Sequence, residues 1–65
     1  MLVIWNEAFN TLDIYYFLDG RCYVSWYSND EDNPVWYTIL CYHGSIKSLK
    51  NVLDPKDHII WEEPC

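Results

Sequence analysis

The sequence predicts an α+β fold, a small antiparallel sheet of four to five strands with one short helix packed on one face. Three runs rich in β-branched and aromatic residues, separated by turn-forming residues, indicate the strands, and one later segment with helical spacing indicates the helix. Sixty-five residues allow one domain, which we expect to span 1–65. Four Trp, six Tyr and two Phe supply the apolar area that so short a chain needs for a core.

Two strand-like runs, 11–18 and 21–28, flank an Asp-Gly dipeptide and predict a β-hairpin. A two-residue loop would pair Ile14 with Ser25 and mix apolar and polar side chains on each face. A three-residue loop that ends in a left-handed glycine pairs Ile14 with Val24 and sorts the side chains better. We therefore expect the three-residue loop.

The run 35–43 follows the polar loop 29–34 and has the composition of a third strand. We expect it to pair with 21–28 so that Val24 lies opposite Ile39. This register continues the aliphatic face of the hairpin.

Ser45 is a plausible N-cap for a helix that ends before the Asp-Pro pair at 54–55. Four apolar residues at helical spacing would form its buried stripe: Ile46, Leu49, Val52 and Leu53. A helix of about nine residues is not stable alone and must pack on the sheet. The runs 2–5 and 58–62 are expected to be the first and last strands.

Both faces of the predicted sheet are apolar, although one short helix can cover only one of them. We assign the helix to the aliphatic face of Leu12, Ile14, Val24 and Ile39. The other face would then expose an aromatic patch, made of Tyr15, Phe17, Tyr23, Tyr27, Trp36, Leu40 and Tyr42. Such a patch is larger than most monomers leave exposed without a binding role. The alternative is that the terminal segments fold across it.

Ten acidic residues against four basic ones give a net charge of -6, which opposes direct binding to nucleic acid or membrane lipid and favours a basic partner. The loop residues Asp30, Glu31 and Asp32 would form an anionic patch that imitates phosphates. The alternative for this run is a solvated turn. It is not an EF-hand loop, because Pro34 occupies the fifth position.

No catalytic or metal-binding pattern is present in the sequence. Cys22 and Cys41 fall on the predicted core face, where we expect free structural thiols rather than nucleophiles. His43 and His58 have no spaced partners. We therefore expect a non-enzyme with no cofactor and no metal. Without a basic segment before the apolar start or a run of membrane-spanning length, the cytoplasm is the expected location.

These features favour a small acidic protein-binding protein that inhibits or modulates a larger, nucleic-acid-handling protein, as phages and other mobile elements encode. The predicted partner-binding residues are Tyr15, Tyr23, Tyr27, Trp36 and Tyr42 on the sheet, with Asp30, Glu31 and Asp32 in the loop. The alternative is a structural module that forms a homodimer through the aromatic face. A third reading, a thiol-dependent enzyme, has the least support.

Overall fold

The computed structural model describes residues 1–28, 30, 32 and 34–63, and they form a five-stranded antiparallel sheet with one short helix. The elements in chain order are β1 (Leu2–Asn6), β2 (Thr11–Leu18), β3 (Arg21–Ser28), β4 (Trp36–Cys41), α1 (Ile46–Lys50) and β5 (Asp57–Glu62). The strands are arranged β4-β3-β2-β1-β5 across the sheet. The predicted sheet and single helix are confirmed, but α1 has only five residues, so the fold is mostly sheet.

The β2–β3 hairpin has a two-residue loop, so the expected three-residue loop is wrong. Asp19 and Gly20 have φ angles of 52° and 74°, as a type I′ turn requires. Ile14 consequently lies opposite Ser25. The physical reason is that β2 is apolar on both faces, so a one-residue shift changes burial little and the turn decides the register.

The predicted pairing of β3 with β4 is confirmed. Val24 lies opposite Ile39, and Cys22 lies opposite Cys41. The polar loop before β4 is closed by a hydrogen bond from the Ser28 N–H to the carbonyl of residue 35, at 3.0 Å.

The two terminal strands extend the sheet instead of folding across it. β1 pairs with β2 on one side and with β5 on the other, antiparallel in both cases. Met1 and Glu63 close the end of this pair, because each donates a backbone hydrogen bond to the carbonyl of the other, at 3.1 and 2.9 Å. Of the described elements, only α1 lies on a face of the sheet.

Ser45 is the N-cap of α1, as predicted, and forms a capping box with Ser48. The Ser48 N–H donates to Ser45 Oγ at 3.1 Å, and the Ser45 N–H donates to Ser48 Oγ at 3.2 Å. The helix is shorter than expected, because the chain tightens after Lys50 and the Val52 N–H donates to the Leu49 carbonyl, three residues back. Val52 is consequently exposed and does not belong to the buried stripe.

The core lies between α1 and the first two strands. Leu2, Ile4 and Leu49 are fully buried, and Tyr15, Ile46 and Leu53 pack around them. Ile39 on β4 is 50% exposed, so the expectation that the helix covers it is wrong. Leu12 and Ile14 were also expected under the helix, but the hairpin register places them on the opposite face.

Candidate functional site: the open face of the sheet

No described element covers the side of the sheet opposite α1, and we call this side the open face. Strand pairing fixes its membership: Val3 lies opposite Ile14, Ile14 opposite Ser25, and Ser25 opposite Thr38. This row runs across four strands. Every second residue along each strand, counted from this row, points to the same face.

The open face is almost entirely apolar. Its large side chains from β1 and β2 are Val3, Trp5, Leu12, Ile14, Tyr16 and Leu18. Those from β3, β4 and β5 are Tyr23, Tyr27, Trp36, Leu40 and Trp61. None of the described strand residues that point to this side is acidic, and its only titratable side chains other than tyrosine are Arg21 and His58.

Several open-face side chains remain accessible in the folded chain. Trp36 is 54% exposed and Leu40 is 51% exposed. Their strand neighbours Tyr37 and Ile39, on the helix side, are exposed to 60% and 50%. β4 therefore offers closely matched residue pairs that differ mainly in the face they occupy.

Two cross-strand aromatic pairs organise the open face. Tyr16 and Tyr23 stack with ring centroids 5.4 Å apart and planes 18° apart. Tyr27 and Trp36 form a tilted pair with centroids 5.7 Å apart and planes at 58°. Such pairing restricts the rings before any partner arrives, which lowers the entropic cost of binding.

The two polar side chains at the centre of the open face satisfy each other. Ser25 Oγ and Thr38 Oγ1 are 2.9 Å apart and share a hydrogen bond. Ser25 is already buried by its large neighbours. A partner could therefore cover this pair without leaving an unsatisfied hydroxyl group.

The predicted site residues do not all lie together. Tyr23, Tyr27 and Trp36 lie on the open face. Tyr15 lies on the helix side, half-buried against the core, so its assignment to the aromatic patch is corrected; the one-residue shift in register is the reason. Burial, followed by the nearby Asp13 carboxylate, raises the pKa of Tyr15 to about 12.

Phe17 moves to the helix side with Tyr15, for the same reason. Tyr42 follows the end of β4 and is 98% exposed, outside the strand. Sequence reasoning placed Leu12 and Ile14 on the helix side and left Tyr16 out of the aromatic patch, so it missed all three as open-face residues. The preference of Asp-Gly for a two-residue turn was the signal that could have found them.

The acidic loop joins β3 to β4 directly beside the Tyr27–Trp36 pair. Asp30 and Asp32 are exposed, and Glu31 lies outside the described residues. The Asp30 N–H donates to the Ser28 hydroxyl at 3.2 Å, and the Asp32 N–H donates to Asp30 Oδ1 at 3.0 Å. The aromatic anchors and the described carboxylates of this loop are therefore neighbours.

Negative charge is concentrated at the end of the sheet where β3 ends and β4 begins, and we call this end the acidic end. Strand directions place six described acidic residues there: Glu7, Asp13, Asp30, Asp32, Asp54 and Asp57. Lys56 is the basic residue beside them. At the opposite end Asp19 lies near Arg21, and the Lys50 ammonium group contacts Glu62 at 2.7 Å.

The thiols have the character of structural residues. Cys22 is buried and Cys41 half-buried, and both are free. Burial raises the pKa of the Cys22 thiol, and its hydrogen bond with Cys41 adds to the effect. A raised thiol pKa opposes formation of the thiolate that a nucleophile needs.

Within the described ranges, no group of three or more His, Cys, Asp or Glu side chains is arranged to hold a metal ion. Those ranges also contain no helix with the length and apolar character needed to cross a membrane. Comparison of the chain with protein family models, with curated proteins and with solved structures gave no match.

Proposed function

We propose that this chain is a small acidic binding protein that docks its open face on a larger protein. The complementary surface would be an apolar patch bordered by lysine and arginine side chains. The observation that carries the proposal is an apolar, acid-free sheet face directly beside the acidic end. The chain would act in the cytoplasm by occupying its partner, without chemistry of its own.

The size of the open face suits such a complex. Five strands spaced about 4.8 Å apart, with eight-residue central strands rising about 3.4 Å per residue, give roughly 600 Å². A standard interface buries about 800 Å² per partner, so this face with part of its rim is sufficient. Tyr27 and Trp36 are the proposed anchors, because exposed aromatic residues dominate interface energies.

The acidic end supplies the electrostatic part of recognition. Its carboxylates would accelerate encounter with a basic surface and orient the aromatic anchors towards it. Proteins that hold nucleic acid present lysine and arginine groups for phosphates, so an acidic binder can block that surface. We accordingly propose an inhibitor or modulator of a nucleic-acid-handling protein, of the kind that phages and other mobile elements encode.

Self-association is a second candidate, and the charge layout favours it in one arrangement. No described acidic side chain opposes the stacking of two open faces. A two-fold stack with antiparallel strands would place the acidic end of one copy over the opposite end of the other, near Arg21 and Lys50. Sedimentation velocity separates this candidate from the first.

The test uses the matched residues of β4. Trp36→Ala and Leu40→Ser alter the open face, whereas Ile39→Ala and Ile39→Ser alter a similarly exposed residue on the helix side. We expect a monomer in solution, and a partner retained from lysate by wild type and the two control variants. Trp36→Ala should weaken that binding at least tenfold, and added salt should weaken it further.

A dimer that dissociates in the Trp36→Ala variant would favour the self-associating module instead. Equal retention of the partner by wild type and by both open-face variants would contradict the proposed function. Circular dichroism of each variant confirms that it remains folded.

A further inference from the structure

A cleft of about 390 Å³ opens on the helix side of the sheet, at the acidic end and beside the core. Asp13 and Asp57 line it from β2 and β5, and Trp26 and Tyr37 line it from β3 and β4. Phe9, in the turn after β1, stands at its rim and is 76% exposed. These residues are distant in sequence, and the sheet brings them together.

Asp13 is an unusual residue for its position, because its side chain is only 4% exposed. The Thr11 hydroxyl donates a hydrogen bond to Asp13 Oδ1 at 2.9 Å. Among the described residues no lysine or arginine lines the cleft, while Asp57 adds a second carboxylate. The buried carboxylate therefore has no cationic counterpart, an arrangement that is costly unless a proton or a bound cation neutralises it.

The aromatic lining indicates which kind of cation would fit. Trp26 lies directly between Asp13 and Tyr37 in the strand pairing, so its ring is next to the buried carboxylate and the Tyr37 ring extends the aromatic lining by one strand. Aromatic faces attract guanidinium and ammonium groups, and organic cations more than hydrated metal ions. A volume of about 390 Å³ is at the lower end of the range of ligand pockets.

We propose that this cleft binds an organic cation, a guanidinium or alkylammonium group, at the Asp13 carboxylate and the adjacent Trp26 ring, with Asp57 and Tyr37 lining the cleft on either side. The cation could belong to an arginine or lysine side chain of another protein or to a free amine, since the recognition chemistry is shared. The cleft lies on the side away from the open face. This inference therefore stands or fails independently of the proposed function.

The test is a titration of the ¹⁵N-labelled full chain followed by NMR. Nα-acetyl-arginine amide and Nα-acetyl-lysine amide represent side chains in a polypeptide, and methylammonium represents a free amine. Nα-acetyl-citrulline amide is the uncharged control for arginine. We expect saturable shifts of the Trp26 indole N–H with the cations, little shift with the control, and no comparable change at Trp5, Trp36 or Trp61.

Tighter binding of the two amino-acid amides would indicate a polypeptide ligand, and tighter binding of methylammonium would indicate a free amine. The Asp13→Asn and Asp57→Asn variants, separately and combined, should raise the dissociation constant of the best probe, the double variant at least tenfold. Glu63→Gln removes the same charge at the opposite end and should leave it unchanged. Tyr37→Ala tests the aromatic lining of the cleft. Because Tyr37 is exposed, this substitution does not disturb the core.

Equal shifts with arginine and citrulline probes, or a dissociation constant that the double carboxylate variant leaves unchanged, would overturn the proposal. Shifts of similar size at all four tryptophans would do the same, because they would indicate nonspecific association.

Discussion

Asp13 couples the stability of the fold to pH. Burial raises the pKa of Asp13 above its ordinary value of 3.8, and the Asp57 carboxylate on β5 adds to the rise, while hydrogen bonds from Thr11 and Asn6 oppose it. A folded-state pKa above the unfolded value means that the folded chain holds this proton more tightly. Its contribution to stability is therefore present in acid and is lost as pH rises through the folded-state pKa.

Asp13→Asn should remove this dependence, because the amide oxygen can still accept the Thr11 hydroxyl but the group does not ionise. We expect the free energy of unfolding of the variant, relative to wild type, to improve as pH rises from about 4 to 7, the range above the ordinary pKa of an aspartate. Urea denaturation at several pH values measures it. If the free energies of unfolding of wild type and Asp13→Asn differ by the same amount at every pH in this range, Asp13 is not the group that makes stability depend on pH.

The β2–β3 turn determines which residues share a face. Gly20 has a φ of 74°, and a Cβ added there would meet no atom within 4 Å, so alanine would be strained only through its backbone. We expect Gly20→Ala to cost about 1–2 kcal/mol of unfolding free energy. Gly44 has equal space and lies outside the left-handed region, so Gly44→Ala is the control. Equal effects of the two substitutions in urea denaturation would argue against a type I′ turn.

The helix contributes to stability mainly through one side chain. Leu49 is 1% exposed within the core, whereas Val52, three residues later, is 64% exposed. Leu49→Ala should lower the free energy of unfolding by about 2–5 kcal/mol, because it leaves a cavity. Val52→Ala should change it by less than about 0.5 kcal/mol, as is usual at the surface. Thermal or urea unfolding compares them, and a large effect at Val52 would indicate a longer, buried helix.

Across the whole molecule, the uneven charge predicts how association depends on electrostatics. Replacing Asp30 and Asp32 by Asn should slow association with a basic partner more than it speeds dissociation, because exposed charges act mainly on encounter. The paired control, Asp19→Asn with Glu63→Gln, removes the same charge at the other end. Stopped-flow measurements at two ionic strengths compare the rates. Identical association rates for both variants would exclude steering by the acidic loop.

Prediction from sequence succeeded where the signals were local. The bounds of β2 and β3, the Ser45 N-cap and the pairing of Val24 with Ile39 follow from residue types and short spacings. The length of α1 was overestimated, because helical spacing continues to Leu53 while the backbone leaves the helix after Lys50. Apolar periodicity alone does not report where the last helical hydrogen bond lies.

The sequence by itself determined the strands, the position of the turn between β2 and β3 and the excess of acid, since these depend on neighbouring residues and composition. Only the tertiary structure decided that Tyr15 faces the helix and Tyr16 the open side, because β2 is apolar on both faces and burial does not discriminate between registers. It also decided that Asp57 on β5 lines the same cleft as Asp13 on β2. That arrangement depends on pairing between strands distant along the chain, which no local pattern encodes.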